Sequence, residues 1–348
     1  MALSARDEKF DQSKIDNRVA SVGHLFRDRV AASPTQEAYR YPVGESWESL
    51  TWAETAERAY ALAAGLVELG VQPEERVALC AATRLEWVLC DLAVMSAGAA
   101  TTTIYPTTLA SDVAYIVADS GSKVVIAEDA SQVDKLREHR ATIPEVTQVV
   151  IIDGEGDGDW VITLAELEER GRARLAQEPE LINERIDQLT PDSLATIIYT
   201  SGTTGRPKGV RLPHSAWTYE AAAVDAIGIL NSEDLQYLWL PLAHVFGKVL
   251  LVLPLQAGFP TAVDGRVDKI VPNLAVVKPT FMGAAPRIFE KAYGRITTMI
   301  ADEGGIKEKL FHWATGVGRK VSEVRQEGKE PSGLLAIQHG LADKLGLK

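Results

Sequence analysis

The stretch "YTSGTTGRPKGV", residues 199–210, sets Gly202, Gly205 and Gly209 among the hydroxyls of Thr200, Ser201, Thr203 and Thr204, with Arg206 and Lys208 close behind. It follows an apolar, β-rich run, Ala195–Tyr199, which reads as a buried strand. "GVRLPH" then returns toward extended structure, so the segment is a strand–loop–strand unit. The loop lies at a strand's carboxyl end, where open α/β sheets bind ligands. Glycines without Cβ let the backbone take positive φ and approach a ligand closely. Successive N–H groups can then form a concave anion nest. Four hydroxyl donors and the Lys208 ammonium complete a loop suited to a polyphosphate. The Walker register fails, because Lys208 stands between Pro207 and Gly209.

Outward from this loop the chain alternates short apolar runs with amphipathic ones. "RVALC", "ATTTIYP", "KVVIAED" and "TQVVIID" read as strands, and helical patterns follow them. "LQYLWLPL", "PTAVDG" and "TFMGAAP" read as further strands beyond the loop. This alternation predicts an α/β fold with mostly parallel sheets flanked by helices. "EAYRYPVGESWESLTW" predicts a hairpin turning at Gly44, and Thr51 with Glu54 predicts a capping box. Pro286 reads as the first residue of a helix, and the chain from Ile306 onward reads as all helical. Residues 1–17 read as a flexible lead-in, "QEPELINERIDQLTPD" as a solvated connection, and "DGEGDGDW" as a turn.

The chain has 348 residues and a formal net charge of -12, which argues against bulk nucleic-acid binding while leaving room for a local cationic pocket. Cys80 and Cys90 sit in apolar runs and read as small buried hydrophobes. The polar N-terminus has no signal-peptide core, and no run reaches the roughly 18 apolar residues that span a bilayer. The expectation is a cytoplasmic protein. Peripheral membrane contact and homodimerisation stay open. On residues alone His244, at the start of an apolar helix in "LPLAHVFG", reads as a cap or a packed side chain. Phe246 reads as plain core, and Arg206 either as a phosphate contact or as a solvent-facing residue.

The loop resembles the phosphate loop of the adenylate-forming superfamily: acyl-CoA synthetases, luciferases and peptide-synthetase adenylation domains. "GAATTTIYPTT" (98–108), "VKPTFMGAAPRIFEKAY" (277–293) and "FHWATGVGRK" (311–320) are similar to segments of long-chain fatty-acid–CoA ligases. The likeness runs over about residues 18–345. It implies the large N-terminal domain of that fold. One α/β lobe (76–224) would carry the loop, and residues 18–75 with 225–348 would form the second lobe. It implies an ATP-dependent activation of a fatty acid to acyl-AMP and pyrophosphate, then thioester formation with CoA.

By the same resemblance the ATP phosphates meet Thr200, Ser201, Gly202, Thr203, Thr204, Gly205, Lys208 and Gly209. Thr200 would supply a hydroxyl to Mg2+. Lys208 and His244 would be catalytic, and His244 with Phe246 would meet the acyl group. A "YGxTE"-like segment, a "TGD" segment and the small C-terminal domain with its lysine are not found in these 348 residues. The expectation is an N-terminal portion with negligible ligase activity alone. Two rivals stand beside it: an acyl-AMP ligase that loads a carrier protein, and a non-catalytic module that binds nucleotide or acyl ligand.

Overall fold

The chain enters its fold earlier than its polar N-terminus predicts. The computed structural model describes residues 10–200 and 205–345. Within the expected lead-in 1–17, Gln12–Asp16 form a helix, α1, whose first amides are capped by Asp11. The Asp11 carboxylate accepts from Ser13 N at 3.0 Å. Ile15 is buried against Ala222 and Ala226, and Lys14 pairs with Asp225 at 2.7 Å. One apolar anchor and one cap are enough to order a segment that composition alone marks as free.

Helix α2 (Val22–Ala32) leads into the predicted hairpin, β1 (Glu37–Val43) and β2 (Ser46–Thr51). Its turn holds Gly44 at φ +60°, a conformation that costs glycine least. Helix α3 (Trp52–Glu68) opens on the capping box read from Thr51 and Glu54.

The alternating region follows: β3 (Arg76–Cys80), α4 (Leu85–Ser96), β4 (Ala100–Ile104), α5 (Ala110–Ser120), β5 (Ser122–Asp129), α6 (Ala130–Glu138) and β6 (Gln148–Asp153). A short strand, β7 (Val161–Thr163), then precedes α7 (Leu164–Gln177). The stretch read as a solvated connection contains a helix instead, α8 (Leu181–Asp187), because Ile182 and Ile186, four residues apart, are both buried. β8 (Leu194–Thr200) and β9 (Lys208–Pro213) complete a seven-stranded sheet in the order β7-β6-β5-β3-β4-β8-β9. Every neighbouring pair is parallel except β8–β9. The connection between those two is too short for a parallel crossover, so they pair as a hairpin.

The remaining elements of the larger unit, Asp11–Gly283, are α9 (His214–Ile227), β10 (Gln236–Leu238), α10 (Val245–Ala257), β11 (Thr261–Val263) and α11 (Ile270–Val277). A second sheet runs β10-β11-β1-β2. "TFMGAAP" does not form the expected strand: only Phe281 bridges, to Gln236, before Pro286 opens the next helix. Helix α4 is buried on nearly every side, with Glu86 the exception, as an all-round apolar helix must be. Helices α3 and α7 cross with their backbones in contact. A Cβ on Gly171 would sit 2.7 Å from Ala61 C and from Gly65 N.

The second unit, from Ala284 on, has helices for its regular structure among the described residues, as expected, with an irregular break at 327–332: α12 (Pro286–Glu303), α13 (Gly305–Gln326) and α14 (Gly333–Leu345). Ala314, Val317, Val321 and Ala342 form its core, with Leu335 packed against them.

Candidate active site

Parallel β4 and β8 end at the same edge of the large sheet, where Thr103 is paired with Ile198. Leu194 to Ile198 are buried, Tyr199 is half-buried and Thr200 is exposed. A cavity of about 540 Å³ opens at this edge. Thr103, Tyr105, Thr200 and Asp112 bring oxygen to its wall, Ile104, Ile198 and Leu212 make it apolar, and His244 closes one side. Carboxyl ends of neighbouring parallel strands are where this class of sheet receives ligands.

The predicted phosphate-loop residues divide. Thr200 lines the cavity. Lys208 is exposed on β9 and pairs with Thr200 across the hairpin. Gly205 has φ +124°, a conformation that side chains rarely adopt. Gly209 makes room for its neighbours, since a Cβ there would sit 2.9 Å from Ile197 Cγ2 and 3.0 Å from Tyr199 Cζ. Ser201, Gly202, Thr203 and Thr204 lie outside the described residues.

His244 is the N-cap of α10: its Nδ1 accepts from Phe246 N at 3.2 Å. That bond assigns the neutral ring's proton to Nε2. Nε2–H has no hydrogen-bond partner among the described residues, and the ring lines the cavity. Capping and facing a ligand are therefore compatible roles for this side chain. Phe246, 41% exposed on the first turn of α10, is not part of the cavity wall, whereas Val245 is.

Three residues that sequence reasoning missed hold these parts. Thr83, in the loop after β3, donates through Oγ1 to Leu240 O at 2.7 Å and accepts from Leu242 N at 3.2 Å. Thr103 donates to Ala243 O at 3.0 Å. Hydroxyls after β3 and on β4 thus pin the turn that delivers His244. Asp119 on α5 accepts from the Tyr199 hydroxyl at 2.6 Å. Burial and the Asp119 carboxylate together push the Tyr199 phenol up, so it remains the donor. Arg206 is exposed, in keeping with its solvent-facing reading, and its guanidinium lies 4.9 Å over the Tyr115 ring. Tyr115 in turn meets Tyr199 edge to face at 6.4 Å. The loop is anchored to α5 on both flanks.

Cys80 and Cys90 are buried and outside any disulfide, Cys80 donating to Gln132 Oε1 at 3.4 Å, and burial pushes the Cys80 thiol up to about 12 and the Cys90 thiol higher still. They are apolar filling, as the sequence predicts. No helix among the described residues is long and apolar enough to cross a membrane.

Comparison with known proteins agrees with this geometry. The AMP-binding enzyme family matches residues 26–325. A long-chain-fatty-acid–CoA ligase of Mycobacterium tuberculosis is 32% identical over 338 residues, which cover 97% of this chain and 54% of that protein. One from Rattus norvegicus is 27% identical, covering 89% and 48%. The chain spans about half the length of the curated relatives it matches. Among solved structures, the inhibitor-bound N-terminal domain of FACL13 from Mycobacterium tuberculosis superposes with a TM-score of 0.66 at 27% identity, over 78% of this chain and 64% of that one. A long-chain-fatty-acid-CoA ligase from Archaeoglobus fulgidus shares the fold, with a TM-score of 0.67 at 21% identity, over 81% and 54%. With a family match over most of its length and a sheet whose β4–β8 edge carries the loop, the chain belongs to the AMP-binding enzyme family.

Proposed function

We propose that the chain supplies the nucleotide-phosphate and acyl contacts of a long-chain fatty-acid–CoA ligase. A carboxylate oxygen would attack the α-phosphorus of ATP while its bond to pyrophosphate breaks. The thiol of CoA would then attack the acyl-adenylate and release AMP. The observation that carries this reading is the convergence of Thr200 and His244 on one cavity, with Lys208 paired to Thr200 beside it.

The residues have distinct tasks in this scheme. Lys208 and the loop amides neutralise phosphate charge, chiefly by position and electrostatics. His244 Nε2–H donates to a carboxylate or phosphate oxygen. Mg2+ fits here: it binds through few protein oxygens together with phosphates, and the Thr200 hydroxyl stands at the cavity. Bound there, the ion would offset charge on the phosphates. The acyl chain would follow apolar surface. Leu212 and Val245 belong both to the cavity and to an adjoining groove of about 410 Å³ walled by Trp217, Tyr219 and Val249. Val245 rather than Phe246 is then the contact at the head of the acyl path.

Titration calorimetry of the 348-residue chain with Mg·ATP tests the reading. A charge-assisted contact is worth about 1.5–3 kcal/mol, so Lys208→Ala is expected to weaken binding by roughly tenfold or more. Equal affinity of the wild type, Lys208→Ala and Thr200→Ala would refute it.

A further inference from the structure

Lys248 lies one helical turn beyond His244, and its amide donates to the His244 carbonyl at 3.1 Å. Its side chain is fully buried and paired with Asp91 Oδ1 on α4. Thr101 on β4 donates to the same oxygen at 2.8 Å. The ammonium sits 5.5 Å from the ring centre of Trp87 on α4 and 5.6 Å from that of Trp217 on α9. Asp91 Oδ2 has no hydrogen-bond partner among the described residues.

A buried ion pair is weak evidence for stability, because an apolar pair of the same volume often does as well. What it supplies is direction. The sequence of α10, "VFGKVLLVLPLQA", is otherwise apolar nearly all round. Apolar contacts alone leave such a helix several near-equal rotations and axial positions. One ammonium with one acceptor selects among them, which is the best-attested use of buried charge. The spacing agrees. Thr101 and Thr103 are two residues apart on β4, so they face the same side, about 6.6 Å apart. Thr103 holds Ala243, and Thr101 holds Asp91 and through it Lys248. Ala243 immediately precedes the N-cap His244, and Lys248 lies in the first turns of α10. Two rungs of one strand therefore set the same helix.

We propose that Lys248 and Asp91 are positioning residues that fix the axial register and rotation of α10 and so hold the His244 ring at the cavity; the catalytic consequence rests on the role given to His244 above.

The test follows the His244 ring in the NMR spectrum of the full chain, its cross-peak assigned by loss in His244→Asn. Hydrogen exchange of residues 240–252 is measured in parallel. The double variant Lys248→Met with Asp91→Leu leaves no unpaired charge and should fold. The expected result is a displaced or broadened His244 signal and at least tenfold faster exchange in the first turns of α10. An unmoved signal with wild-type exchange in the folded variant would overturn the proposal. If the double variant does not fold, Asp91→Asn is judged by the same two measurements. A wild-type His244 signal that ignores both Mg·ATP and a fatty acid would refute the function given to His244, and the register measurements would still stand.

Discussion

Replacing Gly247 by alanine strikes the site without touching a ligand. A Cβ on Gly247 would sit 2.8 Å from Pro241 C and 3.2 Å from Leu242 Cα, and closer still to Pro241 O. These are backbone atoms, so no rotamer change relieves them. The turn they belong to is also held: His244 N donates to Pro241 O at 3.0 Å, and Thr83 bonds Leu240 and Leu242 at 2.7 and 3.2 Å. Overpacking costs about 1–3 kcal/mol, and with backbone on both sides the upper end applies. Displacing the turn also weakens one or two hydrogen bonds, each worth about 1 kcal/mol. Alanine's helix preference over glycine returns about 1 kcal/mol. The net expectation is a loss of about 3–4 kcal/mol. Urea unfolding followed by tryptophan fluorescence and by far-ultraviolet circular dichroism measures it, coincident transitions licensing a two-state reading. A midpoint equivalent to less than about 0.5 kcal/mol of change would refute the close approach of α10 to the Pro241–Leu242 turn. Where adenylate formation is measurable, a shift of about 1 Å at His244 should lower it roughly a hundredfold.

Other outcomes follow from the same contacts. Burial, then the Lys248 charge, then His24 push the His214 imidazole down to about 3. The unfolded chain then binds the extra proton first, so stability is full above about pH 6.5 and falls as pH drops below it, by about 1.4 kcal/mol per unit. His214→Asn, compared with wild type by urea midpoints at pH 7 and 5.5, should remove about 1.4 kcal/mol of that loss; identical pH slopes would count against a buried neutral imidazole. Tyr199→Phe deletes the 2.6 Å bond to Asp119 and should cost about 1 kcal/mol in the same unfolding assay. It should also weaken Mg·ATP binding if the loop depends on that anchor, and wild-type values of both would dismiss the anchor. Gly171→Ala, which drives a methyl into the α3 backbone at Ala61, should cost more than about 3 kcal/mol; thermal melting within a degree of wild type would contradict that crossing.

Much of the fold was legible because local chemistry decided it. The inner strands of the large sheet are covered on both faces, so "RVALC", "KVVIAED" and "LATIIYT" appear as largely apolar runs. The Thr51–Glu54 cap is written in four consecutive residues. Short elements escaped where one or two anchors carry them. Ile15 in α1 and Ile182 with Ile186 in α8 sit inside polar composition that masks their burial. β7 has only three residues and no pattern to detect.

At the site, the sequence by itself determined the loop's character, since three glycines, the hydroxyls and Lys208 lie within one short segment whose stereochemistry is local. It also placed that loop after a buried strand, and His244 at a helix start. Only the tertiary structure decided what surrounds them. Setting β4 beside β8 brings Thr103 to the His244 turn and puts α5, with Tyr115 and Asp119, against both flanks of the loop. A threonine in a strand or a tyrosine on a helix carries no local mark of such a role. Lys248 is the extreme case: a lysine normally keeps its charge in water, and only the packing of α10 on α4 brings it to Asp91, 157 residues away. Periodicity and backbone preference act between neighbours in the chain, whereas partner choice depends on strand order, which forms only when the whole sheet does.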